Sequence, residues 1–422
     1  MGAILLKNLT ISDSRRDVLI DKGLIQKIEP SGSCISWPLA GDVEVMDCSG
    51  KVALPGFVNM HTHAAMTLMR GIGEDVVFKD WLDKIWKIEE NIDYDYVYWA
   101  AKVACLEMIR TGTTTFNDQY WFFPACHQAA VEMGIRPSLG YDIIDRGSRE
   151  EAEREKDQCI RMTEECSWTD DSIYTLSFHA IYSVSEQMMI WTSDYAKRKG
   201  LKLHIHLCET KGEVDDCKRL HKGLTPVEYL DEIGVLGPHI IAAHTLWLSG
   251  HDVELLAARG VNCVHNINSN TKLCSGYRFL YNELRDAGAN VCIGTDGCAS
   301  SNNLDILEAM KTSALFQKAW REDPCAMPLG ELLDCATING ANALNLNSGK
   351  LEVGRKADIT IVDTNNSFFL SPGDFLANLV YSAHSDCIDS VICNGRFIMR
   401  SREIPGEAEI LKEARKMIEK IS

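Results

Sequence analysis

Two histidines one residue apart, in "LPGFVNMHTH" (Leu54 to His63), are the first residues of this chain whose type and spacing could do chemistry. In a strand, side chains two apart share a side, so His61 and His63 aim together, into a barrel interior if Met60 and Thr62 face outward. Such a pair is as often structural as metal-binding. A catalytic zinc site needs about three protein ligands and an open water position. His206 in "HIHL" and Asp296 in "GTDG" supply a third and a fourth candidate, each at the end of its own strand pattern. Taken singly, each has a plainer reading, as a satisfied strand-end histidine or a turn aspartate. Joint placement at one mouth is what favours a metal.

Glu209, three residues after His206, would overhang such a metal without pointing at it, as a general acid/base should; a solvated loop carboxylate is the alternative. His244, ending "IAAH", could orient or deprotonate a metal-held water, or simply bond a backbone carbonyl. His204 reads as a buried barrel-layer side chain and His239 as the start of a strand. His127, His221, His251 and His384 lie in helix or loop contexts and carry no assigned role. No lysine ends the fourth or fifth strand, so a bridging carboxylated lysine is excluded there and one metal is expected rather than two.

The elements that must position these residues are eight apolar, β-prone runs alternating with helical patterns. The runs are "FVNMHTH", "TTTFND", "RPSLGYDI", "YTLSFHA", "LKLHIHL", "HIIAAHT", "VNCVHN" and "NVCIGTD". Helices such as "YDYVYWAAKVACLEMIRTG" repeat apolar positions at three and four residues, with Gly112 as the stop. Eight strand–helix units predict a (β/α)8 TIM barrel. A doubly wound open sheet is disfavoured because no Gly-x-Gly-x-x-Gly follows the first strand. Histidine or aspartate recurs at the C-terminal end of strands one, two, four, five, six, seven and eight, the end where barrel active sites are built. The flanks carry short alternating strands instead. They predict a small β-sandwich made by the N- and C-terminal segments, with parts at 1–54 and 348–422 around a barrel at 55–347, and a terminal helix in "AEILKEARKMIEKIS".

Composition narrows the partners. A formal net charge of −17 with no Lys/Arg cluster argues against nucleic acid and against anionic membranes. No run is apolar for long enough to span a bilayer, and the N-terminus lacks signal-peptide character. Sixteen scattered cysteines without a Cys-x-x-Cys pair fit a reducing cytoplasm, where several behave as small hydrophobes.

With these residues in place, the chain resembles the amidohydrolase superfamily, and within it the S-adenosylhomocysteine/5′-methylthioadenosine deaminase group. The resemblance spans essentially the whole length. It rests on "PGFVNMHTHAAMTLMRG", "DWLDKIWKIEE", "HIHLCET", "IAAHTLWL", "HNINSNTKLCSG", "GTDGCASSNN" and "GKLEVGRKADITIVD". It implies one divalent metal per subunit on His61, His63, His206 and Asp296, with zinc first and iron(II) or another ion as alternatives. It implies proton transfer by Glu209 and His244, nucleoside contacts from Trp81 and from Glu89, the latter through the ribose hydroxyls, a base contact from His179, and a homo-oligomer. Two departures stand out. Ile267 replaces the proline of a common His-Asn-Pro, and Tyr141 stands where an arginine would meet a homocysteine carboxylate, which leaves Arg146 or Arg149 to substitute from the loop.

The expected function is therefore metal-dependent hydrolytic deamination of an adenosine-type nucleoside, a small-molecule substrate, with Asp296 also steering the water's proton. A guanine or cytosine deaminase or a triazine chlorohydrolase is the first alternative. A non-catalytic scaffold is the second.

Overall fold

Strands one to eight of the central sheet are Phe57–Thr62, Thr113–Asp118, Arg136–Ile143, Ile173–Phe178, Lys202–Leu207, Ile240–His244, Asn262–His265 and Asn290–Ile293. They are seen in a computed structural model that describes residues 2–33, 43–166, 168 and 171–421. All pair in parallel and in chain order. Just past strand eight the Asp296 N–H donates to the His61 carbonyl at 2.9 Å. The Asn59 amide bonds Thr295 twice, donating to Oγ1 at 2.7 Å and accepting from N–H at 3.1 Å. These bonds join strand eight to strand one and make the sheet a (β/α)8 barrel. The joint needs Gly294, because a Cβ there would lie 2.8 Å from the His61 backbone nitrogen.

Alternation along strand one sorts its side chains as the pleat requires. Val58 and Met60 pack outward in a cluster with Ala343 and Leu344, while Asn59 and His61 are buried on the other side. The helices follow from local signals. Ser185, Thr225, Ser249 and Asp305 each cap a helix start with their side chain, the second and third within full capping boxes. Gly112 and Gly200 turn left-handed where helices stop. The helix Arg149–Glu165 escapes an apolar-periodicity search because it is mostly charged and buries only Cys159 fully.

The flanking segments form a second sheet around a core that includes Ile4, Leu6, Val18, Ile20, Ile359 and Ile392. Its N-terminal strands are Ala3–Ile11, Ser14–Asp21, Leu24–Pro30, Val43–Asp47 and Lys51–Pro55; its C-terminal strands are Ile359–Asp363, Ile388–Cys393 and Arg396–Met399. Ala3–Ile11 shifts register between Leu6 and Leu9, around the left-handed Asn8. Its first half pairs with Val43–Asp47 and Thr10 pairs with Val52. Residues 34–42 of the N-terminal segment lie outside the described residues. The terminal helix Glu407–Met417 leaves this sheet and packs on the barrel helix Tyr94–Arg110, where Arg110 pairs with Glu407. Among the described residues no helix is long and apolar enough to cross a membrane.

Barrel and second sheet are pinned by one buried ion pair. Arg136, at the start of strand three, donates to both oxygens of Asp358 at 2.6 and 3.2 Å, and both side chains are within 1% of full burial. Asp358 also accepts from Ser348 Oγ at 2.5 Å and from Asn394 N–H at 2.7 Å. Asp358→Asn leaves a buried guanidinium without its counter-charge, an uncompensated burial that costs about 3–5 kcal/mol. Urea unfolding of that variant is expected to show a clearly lower midpoint than wild type; an unchanged midpoint contradicts the pinning role.

Candidate metal centre and active site

The strand ends of the barrel bring His61, His63, His206, His244 and Asp296 to one place. Each imidazole is set by a partner behind it. His206 Nδ1–H donates to the His179 carbonyl at 2.8 Å, and His63 Nδ1–H to the Gln119 carbonyl at 2.6 Å. A carbonyl can only accept, so in both neutral rings the proton is on Nδ1 and Nε2 presents a lone pair. His61 Nδ1 shares a 2.9 Å bond with His204 Nε2, and His61 Nε2 is buried without a hydrogen-bond partner.

The front atoms then face one another. His63 Nε2 and His206 Nε2 are 3.2 Å apart, and Asp296 Oδ1 is 3.4 Å from His61 Nε2 and 3.3 Å from His63 Nε2. Two nitrogen lone pairs at that distance repel unless a cation lies between them. Donors about 2.1 Å from a tetrahedral metal are separated by about 3.4 Å, so the observed spacings suit a zinc-sized ion. Burial drives the imidazoles of His61 and His206 toward the neutral form that a metal requires. Burial opposes ionisation of Asp296, but its contacts with His61 and His63 outweigh this and hold the carboxyl well below its usual range. Ser269 Oγ donates to Asp296 Oδ2 at 2.5 Å and the Gly297 N–H to Oδ1 at 2.7 Å, which fixes the carboxylate plane. Asp296 and His244 both have left-handed backbones, with φ of 63° and 73°. Strain of this kind in non-glycine residues persists where a site over-determines it.

Glu209 and His244 flank the donor set, with Glu209 Oε2 at 3.9 Å from His244 Nε2. Burial first, then the charges of Asp296 and Glu213, push the Glu209 carboxyl well above the usual carboxylate range. His244 Nδ1 accepts from the Asn270 amide at 3.0 Å, and burial lowers its pKa to about 3.

The cleft above is lined by Trp81, Glu89 and His179 as well as by His63, His206, Glu209, His244 and Asp296. Trp81, on the helix Phe78–Glu89, donates its indole N–H to the Ala299 carbonyl at 3.1 Å. Glu89 accepts from the Tyr120 hydroxyl at 2.7 Å, and burial raises its pKa. His179 Nδ1 pairs with Ser183 Oγ at 2.8 Å. Trp86 and Tyr182 add two aromatic walls that the sequence did not single out.

Other expectations meet a different geometry. The Arg146 guanidinium lies over the Trp86 ring, 5.6 Å from its centre, but Arg146 and Arg149 are both exposed and neither joins the lining. Tyr141 points away from the cleft, donating to Glu155 at 2.9 Å; its neighbour Asp142 faces inward and accepts from Gln119 at 2.8 Å. Burial raises Asp142 to about 6. Strand alternation, applied to "LGYDI", would have found Asp142. Of the histidines and aspartates at strand ends, His265 does not converge: its ring stacks on Phe279 with centres 4.1 Å apart. Asp118 holds the turn after His63, accepting from the Ala64 N–H at 2.7 Å. His204 is buried as read, yet it also braces His61, a contact between distant strands that no local signal carries.

Comparison with known proteins follows this geometry. Residues 52–398 match the model of the amidohydrolase family. The 5'-deoxyadenosine deaminase of Methanoregula boonei is 43% identical over 420 residues, covering 98% of this chain and 93% of the relative. The 5-methylthioadenosine/S-adenosylhomocysteine deaminase of Moorella thermoacetica is 39% identical over 414 residues, 96% of each chain. The zinc-bound adenosine deaminase structure from Xanthomonas campestris superposes with a TM-score of 0.92 at 28% identity, covering 99% of this chain and 98% of that one.

Metal analysis checks the donor set directly. Protein purified without chelator is expected to carry about one equivalent of a divalent ion, and His206→Ala to lose most of it. Full occupancy in that variant contradicts the assignment of His206 as a ligand.

Proposed function

Because the chain belongs to the amidohydrolase family, we propose that it hydrolyses the 6-amino group of an adenosine-type nucleoside, giving the inosine analogue and ammonia. The candidate substrates are 5′-deoxyadenosine, 5′-methylthioadenosine, S-adenosylhomocysteine and adenosine. The observation that carries this reading is the pair Glu209 and His244, buried side by side over a donor set whose lone pairs converge. We assign His61, His63, His206 and Asp296 as the ligands of one zinc ion, with iron(II) as the alternative. Held there, such an ion would supply Lewis acidity, which can bring the pKa of a water from about 15.7 to about 7.

The chain's own residues do the rest. Asn270 donates to His244 Nδ1, so the neutral ring keeps its proton on Nε2 and can donate it to the attacking oxygen, orienting it toward the amine-bearing carbon. Asp296 takes the proton that this oxygen releases. Glu209, kept protonated by burial, gives its proton to the adjacent ring nitrogen. Its carboxylate then takes the remaining proton of the added hydroxyl and passes it to the amine, which leaves as ammonia as the carbonyl forms, and the proton held by Asp296 returns to Glu209. Glu89 offers a carboxylate to the ribose hydroxyls, Trp81 walls the sugar, and His179 meets the base. Arg146, over the lining residue Trp86, is the cation we assign to a charged 5′ tail.

A screen with zinc-loaded protein tests the reaction class, reading ammonia release from the four nucleosides, guanine and cytosine and chloride release from a chlorotriazine. Release from at least one adenine nucleoside and from none of the others is expected; no release from any adenine nucleoside overturns the proposal. Glu209→Gln is expected to cost about 10²–10⁴ in kcat while zinc content stays at the wild-type level. Because the protonated carboxyl is the active form, wild-type turnover should fade as pH rises through the elevated Glu209 pKa, and Glu209→Gln should lose that limb of the profile.

A further inference from the structure

Glu213 is a buried carboxylate, 8% exposed, that takes no part in the scheme above. It stands in the first turn of the helix Lys211–Leu220, and its own N–H is held by the N-cap Thr210 Oγ1 at 3.0 Å. Two other helices of this chain show what an acid at this position ordinarily does. Glu228 and Asp252 reach back to the backbone N–H of their own N-caps, Thr225 and Ser249. Glu213 reaches further. Its Oε1 accepts from the Cys208 N–H and its Oε2 from the Glu209 N–H, both at 2.8 Å.

Those two amides sit at a sharp point in the chain. Cys208 is left-handed, with φ of 54°. Its carbonyl accepts from the Leu246 and Trp247 N–H groups, at 3.1 and 3.0 Å, while the Leu207 carbonyl accepts from Thr245 at 2.8 Å. The turn that carries Glu209 is thus gripped on its N–H side by Glu213, and on its carbonyl side by the loop leaving His244. Burial raises Glu213 to about 7 against the opposing pull of its backbone bonds.

We propose that Glu213 is the positioning residue of the proton carrier: its two-pronged grip on the Cys208 and Glu209 amides holds the Glu209 carboxyl in register with His244 and the reacting carbon. This rests on the reading of Glu209 as the general acid/base. Misplacing a catalytic group by about 1 Å costs on the order of 10²-fold, and losing an outer partner of a site about 10- to 100-fold. Glu213 is neither one of the metal donors nor itself part of the cleft lining, so its loss should appear in kcat and leave KM and zinc content alone.

The test is a double-mutant cycle with Glu213→Gln, which keeps the shape but sets an amide NH2 against one of the two N–H groups. Glu213→Gln alone is expected to lower kcat about 10- to 100-fold with KM for the nucleoside and bound zinc unchanged. In a Glu209→Gln background it should cost less than about twofold, since the group it positions is already disabled. Hydrogen exchange at the Cys208 and Glu209 amides should quicken in the variant. If Glu213→Gln does not fold, Glu213→Asp, which withdraws the carboxylate by one methylene, enters the same cycle. Equal losses in both backgrounds, or a lost zinc ion, overturn the proposal, as do amides that stay protected. Wild-type protein that deaminates no adenine nucleoside would sink the deaminase reading instead, and the exchange arm then decides the grip by itself.

Discussion

The hydrogen bond from the Asp296 N–H to the His61 carbonyl, 2.9 Å long, is the joint on which the rest of this molecule turns. It joins the last barrel strand to the first and sets two prospective metal ligands from opposite ends of the barrel side by side. Its neighbours serve the same end. Gly294 lets the strands touch, the Asn59–Thr295 pair fixes their register, and a left-handed Asp296 turns its carboxylate onto His61 and His63. In a sheet of parallel strands these contacts depend on every intervening unit having the right tilt, so the site is a product of the whole barrel.

Around that joint the chain drives His61, His206 and His244 toward the neutral form and holds its acids in different states. Carbonyls behind His63 and His206 force their lone pairs forward, toward a place where only a cation relieves the repulsion. Asp296 is stabilised as an anion by its contacts with His61 and His63, while Glu209, close by in the same pocket, is driven toward its protonated form. Two carboxylic acids pushed in opposite directions is how one pocket can both take and give a proton. The division follows from placement. Asp296 lies against the imidazoles, whereas Glu209 meets desolvation and the charges of two other acids.

Much of this was legible in the sequence, because strand periodicity is a local signal. The spacing of His61 and His63, the eight apolar runs and their polar ends were enough to give a barrel and to nominate His206 and Asp296. What escaped is what depends on distant contacts. Nothing near His204 says that it braces His61 across strands, and nothing near Glu213 says that it reaches past its cap to Cys208 and Glu209. Local reading also over-collected. His265 ends a strand as the others do, yet it stacks on Phe279. Tyr141 drew attention that strand alternation assigns to Asp142, and Arg149 sits on an exposed helix turn away from the cleft.

The most direct check on the account as a whole is anomalous diffraction at the zinc edge, from crystals grown with zinc and a purine-hydrate analogue of an adenine nucleoside. The account requires one anomalous peak about 2.0–2.2 Å from Nε2 of His61, His63 and His206 and from an oxygen of Asp296. The analogue's hydroxyl should stand between that peak, Glu209 and His244. A peak on other residues, or an analogue whose amine-bearing carbon faces away from Glu209, would contradict it.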